Sequence, residues 1–290
     1  MRLLSVILLA VLAASSPAPV DHTALSATVV ADSMYDAGAI DSLAAYANRM
    51  MARASAQRDS VLLGRMIYYR GRARLALRDP HAPEDFARAL EIATALNDSI
   101  GRMNALGLTA FVAVNQGHFD ESIRLNEERI ALARALHQRG SEGWGHLLIG
   151  YAELYREHFP RARDEYVEAW HAFHDANRPR EQLSASIGLG RALELLGRYS
   201  EARVSYQQAW LTARRLGDRG QEADAINNLG VMEEEHGDLS LAVRYFTRAY
   251  EIKRDLKSFD IASVAHNLAA VDQMIGRYAH AESTLAQAMS

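Results

Sequence analysis

His171 and His174 stand three residues apart with Asp175 following, a spacing that puts both imidazoles on one face of a helix. Two imidazoles and a carboxylate are ligands that a divalent metal could share. The pattern stops short of a site, because the histidines flank Phe173 near a helix end and no carboxylate–His–His signature accompanies them. They read as solvated or edge-packed side chains. His118, His158 and His236 fall at turn positions, where polar residues are expected. Glu233, Glu234 and Glu235 form a run of like charge that reads as a solvated helix face. No glycine-rich phosphate loop, serine elbow or paired acid site occurs. There is no cysteine, which excludes thiolate nucleophiles, disulfides and Cys-ligated zinc. The expectation is a chain with no catalytic residues, no metal and no cofactor.

What the sequence does carry is a repeat. Bulky apolar residues recur at a step of forty, at Leu90, Ile130, Trp170, Trp210 and Tyr250, with Met289 one residue early. Small residues keep the same step at Ala82, Ser122, Ala162, Ala202, Ala242 and Ala281. So do the aromatic residues Phe86, Tyr166, Tyr206 and Phe246, a column that Asn126 and Leu285 break. Ala89, Ala169, Ala209, Ala249 and Ala288 form a fourth column, with Arg129 the exception. Such self-similarity predicts stacked supersecondary units, each too small to bury its own apolar face. Within one unit, Ile226, Leu229, Val231 and Met232 give one helical stripe, and Leu241, Ala242, Tyr245, Phe246, Ala249, Tyr250 and Ile252 give a second. His236-Gly237-Asp238 breaks between them, and Gly117, Gly197 and Gly276 repeat the break, with Glu157 in that column once. The reading is a pair of antiparallel helices per unit. Small side chains let the helices approach, and Trp170 and Trp210 fill the gaps between units.

Leu229-Gly230, Gly237, Ala242, Phe246 and Ala249, and again Leu189-Gly190, Gly197, Ala202, Tyr206 and Ala209, resemble the signature of the tetratricopeptide repeat family. The resemblance covers residues 60–290 well and 35–60 poorly. Its step of about forty exceeds the usual 34 residues and is similar to that of longer-helix members that bind peptides or partner proteins. It implies an all-α, right-handed superhelical solenoid of antiparallel helix pairs, continuous over residues 60–290, with about six pairs, the last incomplete. It also implies a concave groove lined by the first helix of each pair. The matching positions are Tyr68, Phe111, Asn115, Trp144, Leu147, Tyr151, Tyr155, Arg191, Glu194, Asn227, Asn228, Val231, His266 and Asn267. Asparagine both donates to and accepts from an extended backbone, aromatic rings offer apolar platforms, and Arg191 could grip a carboxylate with both arms. Asn227-Asn228 and Asn267 occupy matching columns, as a ladder along a bound chain requires. The basic clamp by which some members hold acidic tails is not evident, since lysine is absent from these columns.

Composition sets the outer bounds. Apolar residues are 49% and charged residues 23%, ordinary for a folded protein, and the net charge of -4 favours no nucleic acid partner. Arg2, the run of apolar or small residues Leu3–Ala14 and the small residues that follow read as a secretory signal over residues 1–15, too short to span a bilayer. The expectation is an exported chain, periplasmic or secreted, with no membrane span after signal removal; the alternative is tethering through an uncleaved segment. Residues 16–34 read as a linker with Pro17 and Pro19, and 35–59 as a degenerate helical repeat. The repeat stops short at Ser290, so the expected uncapped end either meets a partner or another copy, or leads into a longer bacterial protein. In that second case the chain would be the sensing region ahead of a caspase-like peptidase or a signalling output domain. The leading expectation is a non-catalytic scaffold that binds a protein or an extended peptide.

Overall fold

The computed structural model describes residues 22–288 with the exception of 259; the expected signal segment and the Met289 position lie outside them. Among the described residues there are fourteen α-helices and no strand. The chain divides between Ala105 and Leu106 into two compact units.

The first unit holds α1 (His22–Asp36), α2 (Ile40–Gln57), α3 (Ser60–Ala76) and α4 (Ala82–Ala95). Helix α1 corrects the linker expected over 16–34. Its Ala24, Ala27 and Ala31 are buried in one cluster with Leu43, Ala47, Leu62 and Met66, while Val29 and Val30 point outward. An alanine stripe at helical spacing combines the best helix former with the closest approach between helices. It leaves no contrast of bulky apolar against polar residues for a periodicity reading to detect.

The division falls within α5 (Ser99–Asn115). The second unit continues with α6 (Phe119–Ala135), α7 (Arg139–Tyr155), α8 (Phe159–Asp175), α9 (Pro179–Leu195) and α10 (Tyr199–Leu216). Helices α11 (Arg219–His236), α12 (Leu239–Asp255), α13 (Ile261–Met274) and α14 (Tyr278–Ala288) complete it. From α6 onward each helix packs on the next, and α7, α9, α11 and α13 also approach one another. The first helices of successive pairs therefore share one face, and the second helices share the other. Asp218 and Asp238 cap α11 and α12 by accepting the Gln221 and Leu241 amides at 3.1 and 2.9 Å. The helix ends carry left-handed residues, among them Gly117, Gly197, Gly237 and Gly276 at the expected breaks. Glu157 keeps that conformation without being glycine, at φ 62°. Ala162, Ala202, Ala242 and Ala281 are sealed in the interior, as are the rings of Tyr166, Tyr206 and Phe246. These are the small and aromatic columns of the sequence.

Candidate partner-binding face

On the first-helix face of the second unit, Tyr151 and Tyr155 lie one turn apart on α7, with ring centroids 4.6 Å apart. Phe119, at the start of α6, stacks on Tyr155 at 5.8 Å. Tyr151 is 38% and Tyr155 58% exposed, so the cluster is built but uncovered. A hydrogen bond between the two tyrosines, with partial burial, pushes the Tyr151 hydroxyl up to about 12. Phe119 was not among the expected groove residues. It begins a second helix and so stands outside the first-helix columns.

Arg191 does not face the groove as a free cation. Its guanidinium contacts Glu194 at 3.1 Å and Glu235 of α11 at 3.7 Å. Glu194 is buried and also accepts the Tyr206 hydroxyl at 2.8 Å. Burial, and a hydrogen bond with Glu235, hold Glu194 above the ordinary carboxylate range despite that cation. Burial and then the Glu235 charge raise Glu234 as well, against the pull of His266. The expectation that Arg191 grips a ligand carboxylate is therefore corrected: two carboxylates of the chain already hold it. Arg191 thus meets two acids, and Glu234 lies close enough to Glu235 to feel its charge. Glu233, expected on a solvated face with its two neighbours, is instead fully buried against Arg203 at 2.7 Å.

The asparagine column is a physical ladder, since Asn267 Nδ2 donates to Asn227 Oδ1 at 3.1 Å across forty residues. Asn228 is half-buried, and its side chain has no hydrogen-bond partner among the described residues. Asn115 spends its amide on its own helix, donating to the Phe111 carbonyl at 2.9 Å, and Phe111 itself stands exposed. Trp144 is not a groove platform: its ring packs edge-on against Phe173 at 5.7 Å, in a cluster that Leu147 joins. Gly143 makes this possible, because a β-carbon there would lie 2.8 Å from the Phe173 ring. Val231 packs partly buried on the last core cluster, and His266 is exposed. In the first unit Tyr68 meets Tyr69 edge-on at 5.2 Å, and the Arg72 guanidinium lies 5.8 Å from its ring. Elsewhere, His171 and His174 pack around Trp170, and Asp175 pairs with Arg139 at 2.5 Å.

A stack of antiparallel helix pairs whose first helices form one continuous face defines a helical repeat solenoid. Residues 181–255 match the family model described as tetratricopeptide repeat, and the fold is a tetratricopeptide-repeat-like solenoid. Solved structures share the fold. BtubC from P. vanneervenii is 20% identical over 84% of this chain and 89% of its own, with a TM-score of 0.59. A Rap protein complexed with competence and sporulation factor is 14% identical over 93% of this chain and 76% of its own, with a TM-score of 0.68. The third is a signal transduction ATPase with a tetratricopeptide repeat sensor from Pyrococcus horikoshii. It is 16% identical over 93% of this chain and 42% of its own, with a TM-score of 0.73. No curated protein matches the sequence.

Proposed function

We propose that the protein is a non-catalytic binding scaffold whose first-helix face takes an extended, basic segment of a partner polypeptide. The observation that carries this reading is the exposed Tyr151–Tyr155–Phe119 cluster on a face whose Arg191 is already neutralised. Stacked phenol rings accept apolar and cationic side chains alike. Glu194, Glu234 and Glu235 would be relieved by a guanidinium or ammonium placed among them. Asn228 offers an amide donor and acceptor to a passing backbone. The Rap protein above, complexed with competence and sporulation factor, supports a binding role for this fold.

The test is panning of displayed random peptides on the wild-type protein and on a Tyr151→Ser/Tyr155→Ser variant, with Glu235→Gln in parallel. Enrichment of Arg- and Lys-rich sequences, with affinity at least tenfold weaker in the tyrosine variant, is the expected result. Binders indifferent to all three substitutions would remove the first-helix face from consideration. A second reading, the sensing region of a larger signalling protein, is favoured by the similarity to the sensor-bearing ATPase, of which this chain spans less than half. Sequencing the coding region past Ser290 tests it. Export is proposed from residues 1–15 and is tested by N-terminal sequencing of the protein recovered outside the cytoplasm.

A further inference from the structure

Trp170 and Trp210 occupy the same position of consecutive repeats, forty residues apart, yet their surroundings differ. The Trp210 indole donates to Glu222 at 3.3 Å and is packed between the clusters of its own and the following pair. One repeat earlier, the residue equivalent to Glu222 is Gln182, whose amide instead meets His174 at 3.4 Å. Trp170 Nε1 has no hydrogen-bond partner among the described residues. Its ring stacks flat on His174 at 5.4 Å and meets His171 edge-on at 5.3 Å, which holds the indole in one orientation. Beside it a groove of about 720 Å³ runs between α8 and α10, with Leu211, Arg214 and Arg215 on the opposite wall. A shallower groove of about 530 Å³ continues it past Gln208 along Val167 and Val204. Val204 and Leu211, two turns apart on α10, are each 53% exposed. Arg214 has no carboxylate partner among the described residues, and Arg215 only bonds Thr212 at 3.1 Å.

We propose that this groove, on the second-helix face, is a docking surface for an acidic segment of a partner polypeptide. An apolar side chain of the segment would lie across Trp170 and Leu211, and a carbonyl or carboxylate would accept the indole N–H. Flanking Asp or Glu side chains would meet Arg214 and Arg215. The charge decides the occupant. Two adjacent guanidinium groups without acids favour carboxylates and repel a basic chain. Tryptophan and arginine side by side are also the residue types that dominate binding energy at protein interfaces. The segment chemistry is opposite to that proposed for the first-helix face, so the two surfaces do not compete for one ligand.

The three tryptophans of the chain give three indole N–H resonances in a nitrogen–proton correlation spectrum. Trp170→Phe assigns the one that matters. The probe is the peptide Glu-Asp-Leu-Glu-Asp, capped at both ends, with Lys-Arg-Leu-Lys-Arg as its basic counterpart. The expected result is a saturable shift of the Trp170 signal with the acidic peptide only, while the Trp144 and Trp210 signals stay in place. Arg214→Gln/Arg215→Gln should weaken the titration at least tenfold, and Tyr151→Ser/Tyr155→Ser should leave it unchanged. A Trp170 signal that does not move overturns the proposal. So does one that moves equally in the arginine variant, or equally with the basic peptide.

Discussion

The ring of Phe246 occupies the space that a β-carbon on Gly230 would take: that carbon would lie 2.6 Å from Cε1 and 2.7 Å from Cδ1. The same relation holds sixteen residues apart for Gly190 with Tyr206 and for Gly150 with Tyr166. Where the repeat carries Asn126 or Leu285 in place of the ring, the residue sixteen positions earlier is Ala110 or Ala269. Glycine on the first helix and an aromatic ring on the second are thus one packing choice made by two residues. Asn126 fills its position differently, donating to the Ser122 carbonyl at 2.9 Å, while Ser122 bonds the Ala110 carbonyl.

Gly230→Ala should therefore destabilise the protein by about 1–3 kcal/mol, the usual result of overpacking a filled core. Alanine's better helix propensity, worth about 1 kcal/mol, offsets part of this. The informative variant is Gly230→Ala with Phe246→Leu, which copies the pair found in the last repeat. Measured by urea unfolding, the double variant should be more stable than the sum of the two single changes implies. Simple additivity would mean that the ring and the glycine do not share the space.

Glu157 offers the opposite case, a side chain where glycine serves better. It is exposed, its side chain has no ion pair or hydrogen bond among the described residues, and its φ is 62°. Its repeat equivalents Gly117, Gly197 and Gly237 hold φ between 73° and 90° with nothing within 4 Å of a built β-carbon. A non-glycine residue in this region carries a penalty of about 1–2 kcal/mol, part of which glycine's greater unfolded-state freedom takes back. Glu157→Gly should raise stability by about 0.5–1 kcal/mol in a thermal melt, and a loss would show that the carboxylate has a role in the turn.

Helix pairs, breaks and sealed columns were legible because each requirement is restated every forty residues, so one substituted position, such as Glu157 or Asn126, does not hide the pattern. Helix α1 was not, since its valines face outward and its alanines inward. At the candidate site, position along the chain predicted which helix face a residue joins but not what its side chain meets there. Trp144 sits in a groove column, yet Gly143 draws Phe173 close enough to take its ring into the core. Arg191 with Glu194 is an i,i+3 pair visible in the sequence, whereas Glu235 arrives from the next repeat and only the fold supplies it.

Glu153 is fully buried near the end of α7, with Arg161 at 3.0 Å, His158 at 2.8 Å and Arg156 at 3.5 Å. The two arginines and the histidine each keep between about a third and just over a half of their surface in water. The two sides of this cluster should therefore respond unequally to mutation. Glu153→Gln leaves side chains that can rehydrate, and the loss should stay at about 1–3 kcal/mol. Arg156→Met, Arg161→Met and His158→Leu together strand a carboxylate in the interior, for which about 3–5 kcal/mol is the usual penalty. Equal losses in chemical denaturation would show that water reaches Glu153.

Glu194 gives the pH dependence its unusual sign. Burial first, then the hydrogen bond with Glu235, raises this carboxyl above its ordinary value of 4.5. The folded state therefore holds a proton that the unfolded state releases earlier. A group raised in this way contributes stability that is complete below the unfolded value and is lost as pH rises through the folded one. Once pH exceeds that range, the need to ionise the buried Glu194 weighs against the fold. Glu194→Gln keeps an acceptor for Tyr206 and removes the charge, at the loss of an ion pair with a partly exposed arginine. It should raise the melting temperature at pH 7, and the gain over wild type should grow from pH 4.5 upward and then level off. Glu142 has the opposite sign, because hydrogen bonds from Arg134 and Arg139 overcome its burial and lower it. Glu142→Gln should therefore destabilise at neutral pH and lose its effect as pH falls below 4.5. Melting curves of both variants between pH 3.5 and pH 8 decide the matter, and parallel profiles for the two would refute the assignment of Glu194 as the raised group.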